Sequence, residues 1–374
     1  MSDDAPRTLD PAHLSVAPHY DPQFKTNWPA FFDRMTAWWH GTLPGPIIRI
    51  PIADPSDPPP PLPDDTDFQA HANDVESSIR RREHTFQSTR FLTDLPPSAS
   101  DFIGHGIASY FGCPLEYRRE TVWTHPCLNA IDDPIDVTRW RTDARWLAAI
   151  DRIRYMTNRA ARRYGVAYYL GGIIQGMSLM RGDEAFLIDL IDHPNHVESL
   201  RDRLLPQWFE MADQLEALLP PDAGRWAPFS LWAPGRFAFL ECDVSCNFSP
   251  DHFRRFVVPE LLAMVRWAPY SLYHLDGPGA IHHLDALLEI PELDAIQWIR
   301  GDGAGNALDW LDLLQRIQAG GKRLYVECPP DELQPMLDAL DPRGLLITVD
   351  PPAHPEQLDA LQRIASQHAA DQND

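Results

Sequence analysis

Lysine is almost absent from this chain: two residues, Lys25 and Lys322, in 374. Positive charge therefore rests on arginine, and 32 basic residues face 54 acidic ones, a formal net charge of −22. An isoelectric point near 4.9 leaves no basic surface for phosphates, which excludes nucleic acid as a partner. Long apolar runs are missing as well. None approaches the roughly 20 residues that span a bilayer, and the acidic start Met1-Ser2-Asp3-Asp4 is not a basic-then-apolar leader. These absences imply a soluble, cytoplasmic protein with no membrane partner. Cysteines are few and odd in number, at 113, 127, 242, 246 and 328, which implies free thiols in a reducing compartment. No Cys-x-x-Cys pair occurs, so a structural zinc ribbon is excluded. Nor does Gly-x-Gly-x-x-Gly follow the first apolar strand, which removes the dinucleotide-binding reading of an open doubly wound sheet.

What is present is a repeating alternation of short apolar runs and amphipathic segments. Strands are predicted over Ile47–Ile52, Phe102–Ile107, Val166–Leu170, Phe237–Glu241, Leu272–Leu275, Ala295–Ile299, Leu324–Glu327 and Leu345–Val349. Helical periodicity fills the gaps, as in Thr142–Arg163, Asp183–Leu218, Pro250–Trp267, Ala307–Ile317 and Pro355–Ala365. Such alternation implies a parallel sheet. Eight such units predict an α/β protein, a (β/α)8 TIM barrel with an N-terminal helical extension. Residues 1–45 form the arm and first helix, and 46–374 form one barrel domain. Within it the six prolines of Asp54–Asp67 make a loop, as a stiff linker or as a cover over the site.

In a parallel barrel, chemistry gathers at the strand carboxyl ends. The stretch Tyr273-His274-Leu275-Asp276-Gly277 ends its strand on two polar groups of equal parity, and strand residues alternate faces. His274 and Asp276 thus point the same way, as proton-transfer groups, as two metal ligands, or as a packing pair. Asp243 follows the fourth strand beside Cys242. Trp298 ends the sixth, followed by Arg300 and Asp302; Glu327-Cys328 ends the seventh, and Thr348-Val349-Asp350 the eighth. A long excursion after the second strand carries Trp123, His125 and Cys127. Arg181 follows the glycine-rich third strand end, as a clamp for a carboxylate or phosphate or as the ion-pair partner of an acid such as Asp183. Arg49 stands near the end of the first strand. Trp123 and Trp298 suggest a flat or apolar ligand, whereas Trp38 and Trp39 read as core.

Several stretches carry a resemblance. They are Tyr110-Phe111-Gly112-Cys113-Pro114, Met180-Arg181-Gly182, Asp189-Leu190-Ile191-Asp192-His193-Pro194, Ser249-Pro250-Asp251-His252-Phe253 running on to Val258-Pro259-Glu260, and Tyr273 to Gly277. In their order and spacing the chain resembles the uroporphyrinogen decarboxylase-like superfamily. That group is a set of barrels that includes corrinoid- and zinc-dependent methyltransferases and is related to cobalamin-independent methionine synthase. The resemblance implies a barrel enzyme and, for its methyltransferases, zinc held by His-x-Cys after the fifth strand and a cysteine after the eighth. Here His274 matches, Asp276 stands at the cysteine position, and Thr348-Val349-Asp350 has no cysteine. Carboxylates make a harder, less electron-rich site than thiolates. His274, Asp276, Glu327 and Cys328 are the candidate ligands. The Arg-x-x-Gly-Arg signature of the decarboxylases is missing; Arg49 stands without a partner.

Three functions follow. The first is methyl transfer, zinc-dependent, with a corrinoid as methyl carrier on a partner protein. The second is a cofactor-free decarboxylase or lyase, with Arg181 holding the substrate carboxylate, Asp243 or Asp276 stabilising a developing cation and His274 donating a proton. The third is a non-catalytic barrel that binds a small molecule or a protein. Trp123, His125, Trp298 and Arg49 are further substrate-binding candidates, and a homodimer is compatible with each reading.

Overall fold

A computed structural model describes residues 18–53, 67–101, 106–119, 121–301 and 303–370. Its strands are β1 (Ile47–Ala53), β2 (Thr89–Thr93), β3 (Ser98–Asp101), β4 (Leu115–Tyr117), β5 (Val122–Thr124), β6 (Gly165–Tyr168), β7 (Arg225–Ala227), β8 (Leu231–Ala233), β9 (Phe237–Leu240), β10 (Tyr270–Asp276), β11 (Ala295–Ile299), β12 (Arg323–Cys328) and β13 (Leu345–Val349). A seven-stranded sheet runs β2-β1-β13-β12-β11-β10-β9, a four-stranded sheet runs β3-β6-β7-β8, and β4-β5 is a separate hairpin. Within the large sheet every pairing is parallel except β1 with β2.

The molecule is thus a mixed α/β protein with a parallel sheet, but a closed eight-stranded ladder is not seen among the described residues. Two features of the chain also depart from the expected strand pattern. The second strand lies earlier than expected, at Ser98–Asp101, and Ile107 belongs to a short helical turn; residues 102–105 of the expected strand fall outside the described residues. The hairpin β7–β8, unmarked in the sequence, pairs with β6 and stands in chain order before β9. The proline-rich loop lies almost wholly outside the described residues.

Period-two alternation decides which side chains meet. Tyr273, Leu275, Ile296, Trp298, Val326, Cys328, Ile347 and Val349 belong to a core shared with the surrounding helices. Their neighbours of opposite parity (Leu272, Ala295, Tyr325, Leu346 and Ile47) join Ala167 of β6 and Trp226 of β7 in a second, interior core. Both sheets therefore contribute to one interior.

The helix Trp28–Trp39 fills that interior at the strand amino ends. Trp28, Phe31, Phe32, Met35, Trp38 and Trp39 are all buried in it. Trp39 Nε1 donates to the Trp232 carbonyl at 2.8 Å, and Arg323, the first residue of β12, donates to the Trp38 carbonyl at 2.6 Å. Trp38 and Trp39 are core, as their sequence pattern suggests.

The helix start at Ser249 is also as its sequence predicts. Ser249 Oγ accepts from the His252 amide at 3.1 Å, with Pro250 at the first helical position. The helical stretch 183–218 is instead two helices, Asp183–Asp192 and Pro194–Glu216, broken at His193-Pro194; the residue before a proline is pushed out of helical geometry. The expectation of five free thiols is corrected: Cys113 and Cys127 form a disulfide with Cα atoms 4.9 Å apart. Among the described residues no helix is long and apolar enough to cross a membrane.

Candidate active site

β9 ends at Leu240 and the chain continues Glu241-Cys242-Asp243 into a short helical turn, Asp243–Asn247. Glu241 and Asp243 share one parity, as His274 and Asp276 do on the neighbouring strand. Ligand atoms of Glu241, Asp243 and His274 lie within 4.8 Å of one another. Helix Ile173–Arg181 braces this segment from outside. The Val244 amide donates to Gln175 Oε1 at 2.9 Å, and a Cβ on Gly172 would stand 2.8 Å from the Glu241 carbonyl oxygen. Only glycine lets the two backbones approach so closely. Buried Glu260 accepts from the Ile174 amide at the start of that helix, at 3.0 Å.

His274 is oriented from the next strand. It stands in register with Gln297 of β11, and its Nδ1 lies 2.8 Å from Gln297 Oε1. An amide oxygen only accepts, so Nδ1 carries the ring proton and Nε2 keeps the lone pair. Gln297 has 0 % of its surface exposed, and its amide nitrogen has no hydrogen-bond partner among the described residues.

The local field favours protons and cations. Burial pushes the Glu241 carboxyl up to about 8; the charges of Asp243 and Asp276 act in the same direction, and a hydrogen bond from Tyr169 opposes them. Asp243 is also raised, first by burial; His274 pulls it back and Asp276 pushes it further. Asp243 is exposed in surface area, yet burial of its carboxylate is the largest cause of its shift, and the shift follows the carboxylate's own surroundings. Among the described residues no arginine or lysine is among the charges acting on Glu241 or Asp243.

One wall of the site is aromatic. The Phe229 ring lies 5.3 Å from the His274 ring at 26° and 5.9 Å from Phe239 at 28°. Phe229 and Ser230 adopt φ of 59° and 54°, the left-handed region that side-chain-bearing residues rarely occupy. The loop is held there because buried Arg49 donates to the Phe229 carbonyl at 2.9 Å and Ser98 Oγ donates to Ser230 Oγ at 2.8 Å. Phe229 nonetheless keeps 39 % of its surface exposed.

No family model matches this chain, and no curated protein does. Among solved structures it is similar to a methyltransferase from Methanosarcina mazei, with 15 % sequence identity and a TM-score of 0.58, over 89 % of this chain and 97 % of that one. What the two share is a fold.

The residues expected from sequence are distributed unevenly. His274 and Asp243 meet. Asp276 is exposed at the end of β10 and acts on both carboxylates through its charge. Glu327 lies two strands away, accepting from the Tyr325 hydroxyl at 2.9 Å. Its carboxyl is raised by burial and by Asp350, against the pull of Arg49 and Arg300. Cys328 has the opposite parity, so it is buried in the sheet–helix core, where burial pushes its thiol up to about 12. Trp298 shares that face and packs on Trp310 at 5.2 Å. Cys328 is a correction, from the alternation that puts neighbouring residues on opposite faces; Trp298 stands apart from the cluster but lines a separate cavity with Arg300, Glu327 and Asp350.

Arg181 is committed to buried Asp189 at 2.8 Å, an ion pair as anticipated but with a different acid. Arg49 is fully buried beneath the site and braces a loop. Trp123, 60 % exposed, and His125, paired with Glu116 at 2.9 Å, sit on the β4–β5 excursion; no contact joins them to the cluster among the described residues. Asp302 is outside the described residues. The sequence reading missed Glu241, Gln297, Tyr169 and Phe229. Glu241 was within reach, since it stands two residues before Asp243. Phe229 was not, because no residue type signals a strained left-handed pair without glycine.

Proposed function

We propose that this chain is a methyl-transfer enzyme whose reacting groups meet at Glu241, Asp243 and His274. We further propose that the two sheets close around that cluster as a (β/α)8 barrel. The observation that carries the reading is the convergence of one imidazole, its tautomer set by Gln297, with two carboxylates at the strand carboxyl ends. The fold likeness to a methyltransferase and the resemblance to the uroporphyrinogen decarboxylase-like superfamily support it. Decarboxylation has less support, because its carboxylate clamp, Arg181, is taken by Asp189.

In such a transfer the methyl group leaves its donor heteroatom without the bonding pair, and a lone pair on the acceptor forms the new bond. The leaving heteroatom keeps the pair and gains a proton where needed. Glu241, with a carboxyl pushed up to about 8, holds a proton at neutral pH and can supply it. His274 Nε2 can take one from an acceptor thiol. A corrinoid on a partner protein is the acceptor or carrier that the resemblance suggests.

In place of those proton-transfer roles, a divalent ion that displaces the Glu241 proton and takes the His274 Nε2 lone pair fits the same three side chains: an imidazole with its other nitrogen hydrogen-bonded, and two carboxylates close enough for small rotations to bring them onto one ion. Free thiols contribute nothing to the donor set, so it is harder than a thiolate site and suits zinc less strongly. When bound, zinc would supply Lewis acidity that lowers the pKa of a coordinated thiol or water.

The test is a zinc titration of chelated protein and of His274→Ala, followed by a methyl-transfer assay with charged and uncharged donors and corrinoid or thiol acceptors. One equivalent bound by wild type, lost in the variant together with turnover, is the expected result. Absence of methyl transfer with every donor and acceptor pair would sink the proposal.

A further inference from the structure

We infer that the donor this site takes is a small organic cation, a methylated ammonium or sulfonium carrying an oxygen acceptor. The inference deepens the methyl-transfer reading but rests on separate features.

The first feature is unmatched charge. Asp276 acts through its charge on both Glu241 and Asp243, and among the described residues no arginine or lysine is among the influences on those two. Even a divalent ion at Glu241 and Asp243 leaves the third carboxylate unbalanced, enough for one monovalent cation. The second is the wall. Phe229, Phe239 and the His274 ring lie between 5.3 and 5.9 Å apart at interplanar angles of 26° to 37°, and Phe229 keeps open surface despite its strained, braced backbone. An aromatic face beside carboxylates is the environment that holds quaternary ammonium groups, because the ring quadrupole attracts the cation while its methyl groups pack as hydrocarbon. An uncharged apolar donor would gain from the rings but would also desolvate the Asp243 and Asp276 carboxylates without return.

The third feature is the Gln297 amide, fully buried, tied to His274 at its oxygen and unpartnered at its nitrogen. A buried donor without an acceptor is costly. A hydroxyl or carboxylate oxygen on the ligand would satisfy it, so the fitting class is a choline-like or betaine-like molecule rather than a bare tetraalkyl cation.

The experiment compares choline with its uncharged isostere 3,3-dimethylbutan-1-ol by calorimetry, on the full chain with and without zinc. Choline is expected to bind at least ~10-fold more tightly. Phe229→Leu, which keeps bulk but removes the π face, should weaken choline several-fold while Phe229→Tyr restores it, and Asp276→Asn should weaken it alone of the two ligands. Equal binding of the isostere, indifference to Phe229→Leu or Asp276→Asn, or no binding of choline would overturn the inference. Its failure is separable from that of the proposed function. Methyl transfer from an uncharged donor without choline binding would remove the cation and leave the enzyme; choline binding with no methyl group lost to any acceptor would do the reverse.

Discussion

At the amino ends of the central strands, Ile47, Leu272, Ala295 and Leu346 pack against the six buried side chains of Trp28–Trp39. At the carboxyl ends the same inward parity carries His274, Asp276, Gln297 and Glu327, with Glu241 and Asp243 beside them. One alternation rule therefore builds both, and what differs is the material. The plugged end holds large rings whose few polar atoms mostly find carbonyls or a hydroxyl, as Trp39 and Trp226 do. The open end holds carboxyls raised by burial and by one another, an amide with a free donor, and two left-handed residues without glycine. Stability is concentrated at one end and strain at the other.

That contrast can be broken at either end. The largest expected effect is Trp39→Ala, which should cost about 3–5 kcal/mol of folding stability, read by denaturant unfolding, while turnover per folded molecule stays unchanged. His274→Ala should do the converse, lowering methyl transfer by ~10²–10³-fold with the unfolding midpoint nearly unmoved. A large loss of stability in His274→Ala would erase the distinction between the ends.

Gln297→Ala sharpens the comparison one layer out. It should weaken zinc binding by roughly 10–100-fold, because His274 loses the partner that sets its tautomer, and Gln297→Glu should recover most of that affinity.

The smallest effect is one of pH. The Glu241 carboxyl moves from an ordinary value of 4.5 to about 8 in the folded chain, so the native state binds this proton more tightly than the unfolded state does. Stability from this group is present below 4.5 and is lost as pH climbs towards 8. Glu241→Gln in cation-free buffer should therefore raise the unfolding midpoint by a few degrees at pH 9 relative to wild type, and by nothing at pH 4. Glu260, also pushed up to about 8, is present in both proteins and drops out of the difference.

Much of this molecule was legible in its residues. The parallel strands from Leu272 onward fall where the apolar runs place them, because a buried strand needs an unbroken apolar run and each is closed by polar turn residues. His274 and Asp243 were legible by parity and position. Cys328 was misjudged by counting nearness to a strand end rather than the face it occupies. The disulfide could not be read at all, since which cysteines meet is decided by a hairpin and a helix end distant in the chain. Arg49 shows another limit: a lone arginine in an apolar strand marks something buried and held, but whether it grips a substrate or a backbone carbonyl depends on a loop 180 residues away in the chain.

The helix that seals the strand amino ends has a further consequence, for synthesis. Trp28–Trp39 leaves the ribosome early, yet its hydrogen-bond and packing partners include Trp232, Tyr270, Arg323 and Tyr325. At ~5–20 residues per second those partners follow after roughly ten seconds to a minute. For that interval a nascent segment rich in tryptophan and phenylalanine lacks the partners that later bury it.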